Sequence, residues 1–244
     1  MNTHKLLESY LSHRKFVLKE GDFISSPQPI EAGVPQGSIL GPFLYLLYTC
    51  DMPTNSRTHI STFADDTAIL AIHENPQEAS VLLQDHILDI ERWLKQWRIK
   101  VNEQKCIHLT FTLRRESCPP ILINNHIIPQ QTEVKYLGLH LDRRLTWKKH
   151  IDTKLTQMKL KLLQIYWLIG KNSRLSLDCK LLLYSSIIKP IWCYGIQLWG
   201  TASASNIEKI QRFQNKILRM ITAAPWYVRN INIHKDIGVS LVKN

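Results

Sequence analysis

No stretch of this 244-residue sequence has the roughly 18 consecutive apolar residues that a membrane-spanning helix needs. The first residues, MNTHKLLESYLSHRK, lack the apolar core of a signal peptide. The expectation is therefore an intracellular protein, nuclear or cytoplasmic, with no membrane partner. The five cysteines, Cys50, Cys106, Cys118, Cys179 and Cys193, form no CxxC pair and no Cys/His cluster with zinc-site spacing. Disulfide scaffolds and zinc modules are thereby excluded, and reduced thiols are expected. Internal repeats and low-complexity tracts are also missing, while 44% of the residues are hydrophobic, enough for a folded core. Acidic charge is scarce in one part only. Residues 147–244 hold 4 acidic against 16 basic side chains, net +12, whereas residues 1–146 hold 16 against 15, net −1. A basic module beside a neutral one points to a polyanionic partner.

What is present divides in the same place. Residues 5–13 have helical spacing, and KFVLKEGDFISSPQPIEAG reads as two short strands around Glu20-Gly21-Asp22. GVPQGSILGPFLYLLYTCDMP reads as a loop feeding a buried helix. HISTFADDTAILAI reads as a hairpin whose two-residue turn is Asp65-Asp66. Asn75, Pro76 and Glu78 open a helix with a stripe of Leu83, Ile87, Ile90, Leu94 and Trp97. KCIHLTF and VKYLGLHLD read as strands, the latter near a turn at Asp142-Arg143. Helices follow. Ile151, Leu155, Met158, Leu162, Ile165 and Ile169 form a stripe that Gly170 ends. A second helix covers about 177–189 and is stopped or kinked by Pro190. A third starts at Ser205 with a capping box to Glu208. Its Ile207, Ile210, Phe213, Ile217 and Met220 face a core, and its Lys209, Arg212, Lys216 and Arg219 line a second face. That basic face suits nucleic acid and equally suits plain solvation. The fold class is α+β, with an α+β module over 1–146 and a basic helical module over 147–244.

Asp65 and Asp66 stand in an otherwise apolar run, where a carboxylate is costly unless paired or bound to a metal. Aspartate is common in tight turns, so the pair alone is weak evidence. Two carboxylates on one rigid turn can also hold hard divalent cations through oxygen. Two such ions about 3.5–4 Å apart support phosphoryl transfer.

FADD, preceded by AGVPQGSILGPFLYLLYTCDMP, resembles the reverse transcriptase of non-LTR retrotransposons, most closely the jockey type. The resemblance implies a partial polymerase palm, an antiparallel sheet with helices, followed by an all-α basic thumb and post-thumb module. Asp65 and Asp66 match the family's metal-binding positions, Asp65 being the firmer ligand, with Mg²⁺ or Mn²⁺ as the cofactor. GVPQGS resembles the motif that shapes the nucleotide and template pocket, which implicates Pro35, Gln36 and Gly37. WRIKVNEQKC resembles the next palm motif, whose lysine assists protonation of the leaving pyrophosphate, and the resemblance implies that role for Lys105. VKYLGLHLDRRLTWKKHI resembles the primer-grip hairpin, with Tyr136, Leu137 and Gly138 at its centre. LLLYSSIIKPIWCYGIQLWG and IEKIQRFQNKILRMITAAPWYV resemble the thumb and post-thumb region.

The implied activity is RNA-directed DNA polymerisation, with an RNA template, a DNA primer and deoxynucleoside triphosphates as partners. The family's upstream palm aspartate and its fingers have no counterpart in this sequence. The chain is therefore expected to be a palm-and-thumb piece that by itself binds nucleic acid without extending a primer. The alternatives are a catalytically inactive nucleic-acid-binding remnant and another palm-fold phosphotransferase, such as a nucleotide cyclase. GVPQGS and the basic helical tail argue against the cyclase.

Overall fold

The computed structural model describes residues 2–35 and 37–242. Gln36, one of the expected pocket residues, lies outside the described residues. The chain folds as two compact units, Met1–Val101 and Asn102–Asn244. Both mix helices with short strands, so the molecule is α+β as expected. The strands pair only in twos among the described residues and build no wider sheet.

The first unit opens with α1 (Thr3–Leu11), capped by the Asn2 carboxamide oxygen, which accepts from the His4 N–H (3.2 Å). β1 (Lys15–Phe16) pairs antiparallel with β4 (Gln28–Pro29). Between them β2 (Lys19–Glu20) and β3 (Phe23–Ile24) form the expected small hairpin, with Gly21 at φ +60° in its turn. α2 (Leu40–Tyr48) follows the GVPQGS loop. Of its residues only Gly41 is buried, and Phe43, Leu46 and Leu47 are exposed, so the expectation of a buried helix is corrected. The reason is where the helix is held. Its anchor is at the C-terminal end, where the Tyr48 hydroxyl donates to the Trp97 carbonyl (2.6 Å). Just beyond, the Asp51 carboxylate accepts from the indole N–H groups of Trp93 (2.9 Å) and Trp97 (3.1 Å).

β5 (Thr58–Phe63) and β6 (Asp66–Ala71) form the long hairpin, and α3 (Pro76–Gln96) packs against it. The Asn75 side chain caps α3 by accepting from the Gln77 N–H (2.8 Å), with Pro76 at its first position. Ile87 and Ile90 of the expected stripe are buried, together with His86 and Trp93, which the spacing did not include. His86 ties the unit together. Its Nε2–H donates to the Pro53 carbonyl (3.0 Å), and its Nδ1 meets the Thr58 hydroxyl (2.6 Å). One buried ring thus joins α3, the start of β5 and the preceding loop.

The second unit carries three strand pairs and the helices. A 3₁₀ turn, Glu103–Lys105, leads to β7 (His108–Leu109), which runs parallel to β10 (Gln130–Gln131). β8 (Leu122–Ile123) and β9 (His126–Ile127) pair across Asn124 and Asn125, both at positive φ. β11 (Glu133–Tyr136) and β12 (Leu139–Asp142) pair across Leu137 (φ +44°) and Gly138 (φ +76°). VKYLGLHLD is therefore a hairpin, not a single strand, because LG supplies the two left-handed positions of a tight turn.

The Asp142 carboxylate then launches α4 (Lys148–Ile169). It accepts from the N–H groups of Arg144, Thr146 and Trp147 and from the Thr146 hydroxyl, all at 3.0–3.1 Å. α4 buries Ile151, Met158, Ile165 and Ile169, with Leu155 and Leu162 packed beside them, as the stripe predicts.

α5 (Leu177–Leu183), a π-helical turn (Tyr184–Ile188) and α6 (Lys189–Cys193) run on without a stop. Pro190 does not end the helix. It has no N–H and its ring crowds the carbonyl one turn back, and the wider π turn accommodates both defects. α7 (Ile196–Trp199) and α8 (Ala204–Ile221) complete the core with α9 (Asn230–Asp236). α8 buries Ile207, Ile210 and Ile217 as expected, and also Gln214, Leu218 and Ile221. The expected capping box at Ser205 is not formed. Ser203 occupies the cap position without a side-chain bond to a backbone N–H of the helix, and its hydroxyl instead meets that of Ser205 in the first turn (3.1 Å).

Candidate active site

In the first unit, the hairpin register fixes the aspartates. Phe63 pairs with Asp66, so Ala64 and Asp65 are the two turn residues and Asp66 is the first residue of β6. The expected Asp65-Asp66 turn is shifted by one. Ala64 takes φ +52°, a conformation that glycine adopts without cost and alanine does not. Both aspartates are exposed, at the tip of the hairpin rather than in its apolar body. Solvation at the tip resolves the cost of two carboxylates in an apolar run.

The turn has α2 for a neighbour. Burial first, and then the negative charge of Asp65, raise the pKa of the Tyr45 phenol on that helix. α2 thus links the turn to the GVPQGS loop that precedes it. In that loop Pro35 is half-buried, while Gly37 is exposed at φ +79°. The Ser38 hydroxyl accepts from the Gly41 N–H (2.9 Å) and starts the helix. The loop's approach is fixed by Arg14. Its guanidinium donates to the carbonyls of Leu11 (3.0 Å), Ala32 (3.2 Å) and Gly33 (2.6 Å). Nothing in the sequence singled out Arg14, because an arginine that binds only carbonyls has no spacing signature.

The donor set can be tested against a divalent ion. The two aspartates are consecutive in sequence, one in the turn and one opening β6, and among the described residues no group of three or more His, Cys, Asp or Glu side chains converges. Hard cations of the Mg²⁺ type are commonly held by one or two carboxylates, with water and substrate phosphate filling the rest of the shell. Asp65 and Asp66 fit that requirement in donor type and number.

The second unit carries the remaining expected residues. Lys105 is exposed at the end of its 3₁₀ turn. Tyr136, Leu137 and Gly138 lie at the β11–β12 turn, which Tyr194 latches by donating its hydroxyl to the Leu137 carbonyl (2.6 Å). A Cβ on Gly138 would come within 3.3 Å of the Tyr194 ring, so glycine serves there for space as well as for φ.

The four basic residues of α8 are not equivalent. Lys209 pairs with Asp152 of α4 (2.8 Å), and Arg212 pairs with Glu208 one turn back (2.9 Å). Arg219 is spent on the chain after α8, donating to the carbonyls of Pro225 (2.7 Å) and Val228 (2.6 Å) and to the Asn230 side chain (2.7 Å). Lys216 is exposed.

Comparison with known proteins gives the family of the sequence. Residues 1–141 match the family described as reverse transcriptase (RNA-dependent DNA polymerase). The probable RNA-directed DNA polymerase from transposon X-element of Drosophila melanogaster is 40% identical over 242 residues, covering 97% of this chain and 27% of that protein. The RNA-directed DNA polymerase from mobile element jockey of the same organism is 38% identical over 242 residues, covering 96% of this chain and 26% of its own length. The probable RNA-directed DNA polymerase from transposon BS is 38% identical over 248 residues, covering 98% and 27%. The chain thus spans about a quarter of the length of the curated relatives it matches. No solved structure matches it. With more than half of its residues inside the family match, the chain belongs to the reverse transcriptase (RNA-dependent DNA polymerase) family.

Proposed function

We propose that this chain is the palm-and-thumb part of a mobile-element RNA-directed DNA polymerase, with Asp65 and Asp66 as its metal-binding carboxylates. The observation that carries this reading is the paired carboxylates at the exposed turn of the β5–β6 hairpin, in a chain of the reverse transcriptase family. That family uses divalent metal ions, and Mg²⁺, or Mn²⁺ in its place, is the ion proposed here.

In the proposed reaction the primer 3′-oxygen forms a bond to the α-phosphorus of a deoxynucleoside triphosphate paired to the RNA template. The bond from that phosphorus to the bridging oxygen breaks, and pyrophosphate leaves. A divalent ion, when bound, makes the attacking hydroxyl more acidic and offsets charge on the leaving oxygens. Asp65 and Asp66 supply the anionic oxygens and, through the short turn, a fixed direction. Pro35, Gln36 and Gly37 shape the nucleotide and template pocket, and the Arg14 contacts hold the loop's approach. Lys105 carries a proton for the leaving pyrophosphate. Tyr136, Leu137 and Gly138 support the primer end. Residues 147–244 act as the thumb and post-thumb module and residues 1–146 as the palm. On α8, exposed Lys216 and Arg212 meet phosphates most directly, while Lys209 and Arg219 hold the fold from which they project.

The test is primer extension by a polypeptide in which this chain is joined to the preceding part of a relative's polymerase. Asp65→Asn should lower divalent-ion-dependent extension by at least about a hundredfold, the scale on which loss of positioning acts. Near-normal extension by that variant contradicts the assignment. A second reading, nucleic-acid binding without catalysis, is favoured by the charge distribution. Residues 102–244 hold 22 basic and 8 acidic side chains, net +14, a balance that serves binding with or without the aspartates.

A further inference from the structure

Four of the seven tryptophans, Trp93, Trp147, Trp192 and Trp199, are buried in the two cores. Trp226 is 90% exposed and its neighbour Tyr227 is 69% exposed. They are the two central residues of a turn closed by the Val228 N–H donating to the Pro225 carbonyl (3.1 Å). Their rings meet edge to face, with centroids 6.0 Å apart and planes at 81°. The turn is fastened from beneath. Arg219 grips both of its ends through the Pro225 and Val228 carbonyls and reaches on to Asn230. Val228 packs against the core of the second unit. Two large aromatic side chains are thus held out into solvent on a braced turn, against the tendency of such surface to be buried.

We propose that Trp226 and Tyr227 form a stacking platform for the unpaired bases of a single-stranded nucleic acid. This rests on the reading above that the basic second unit binds nucleic acid. The choice of occupant comes from charge. The unit is net +14, Arg229 follows the aromatic pair and is exposed, and Lys216 is exposed on the helix that carries the Arg219 brace. An open indole face accepts any base, because every base has a π-face, and adjacent cations neutralise the backbone. The brace removes the ordering cost that a floppy loop would meet on binding. Bases in the interior of a duplex are stacked on both faces and offer no free one, so the platform favours single strands.

The experiment titrates the full chain into a labelled single-stranded oligothymidylate and into a blunt duplex of equal length. Trp226→Ala should weaken single-strand binding by about tenfold and leave duplex binding unchanged. The salt dependence should keep its slope, because stacking releases no counterions. Trp226→Phe should retain part of the affinity, and both variants should unfold at the wild-type temperature. Unchanged single-strand affinity overturns the proposal, as does an equal loss on both probes. Wild-type chain that binds neither probe overturns the platform together with the nucleic-acid reading. If Trp226→Ala instead abolishes self-association in sedimentation while nucleic-acid binding is intact, the pair is a protein contact and the proposal fails.

Discussion

The FADD turn places alanine at a positive-φ position that tight two-residue hairpin turns usually give to glycine. Ala64 sits at φ +52°, where a non-glycine residue costs on the order of 1–3 kcal/mol. Ala64→Gly should therefore raise stability, by about 0.5–1 kcal/mol after glycine's greater unfolded-state freedom is subtracted. Chemical denaturation measures this, and a loss of stability would show that the alanine methyl makes a contact worth more than the strain. The hairpin and its aspartates were legible in the sequence because two β-prone runs flank a polar pair. The one-residue shift of the turn was not, because both Ala64-Asp65 and Asp65-Asp66 satisfy the alternation. On α8 the spacing of Lys209, Arg212, Lys216 and Arg219 was legible, but their uses depend on partners far apart in sequence. Asp152 lies 57 residues before Lys209, and no periodicity reports that.

Among the elements, the join between the β11–β12 hairpin and α4 responds to acid in two ways. His150 is fully buried, at 0% exposure, and its Nδ1 accepts from the His140 N–H (3.3 Å). Burial first, then the charges of Lys154 and His140, push its pKa down to about 4. An unfolded histidine titrates near 6.5. Between those values the unfolded chain holds a proton that the folded chain refuses, so stability falls as pH drops from about 6.5 to about 4. Asp142 is also lowered. Burial alone would raise it, but the bonds from Thr146, Arg144 and Trp147 prevail. Its contribution is present above the unfolded value of about 3.9 and is lost as pH falls through the folded one. The unfolding temperature of the second unit should thus decline in two stages, and His150→Gln should shrink the upper stage, to which His108 and His140, both also lowered chiefly by burial, contribute, and leave the lower stage in place. An unchanged profile in that variant would place the upper titration elsewhere. The stripes of α3, α4 and α8 were readable because helical period fixes the buried face. The π turn before Pro190 and the exposure of α2 were not, since both depend on what the rest of the fold places alongside.

For the whole molecule, charge is the feature most visible in the sequence and least tied to any one element. The units defined by packing divide at Val101 and Asn102, and their net charges are −3 and +14. Binding by the second unit should weaken steeply with salt, with a log–log slope near −0.9 for each phosphate neutralised on a duplex. Lys216→Ala should reduce that slope by about one, whereas Lys209→Ala should lower stability and leave the slope in place. Binding that is insensitive to salt between about 50 and 200 mM would contradict the phosphate reading.

The central claim, that Asp65 and Asp66 are the divalent-ion carboxylates, has a direct test in the chain as it stands. Mn²⁺ broadens the nuclear resonances of whatever lies near its site, and weak binding suffices for the effect. Titrated into the isotope-labelled chain, it should broaden the amides of Phe63 to Thr67 first, together with the Tyr45 ring. Asp65→Asn should remove that selectivity. Broadening at the turn no stronger than at other exposed carboxylates, such as Glu20 and Asp22, would contradict the claim.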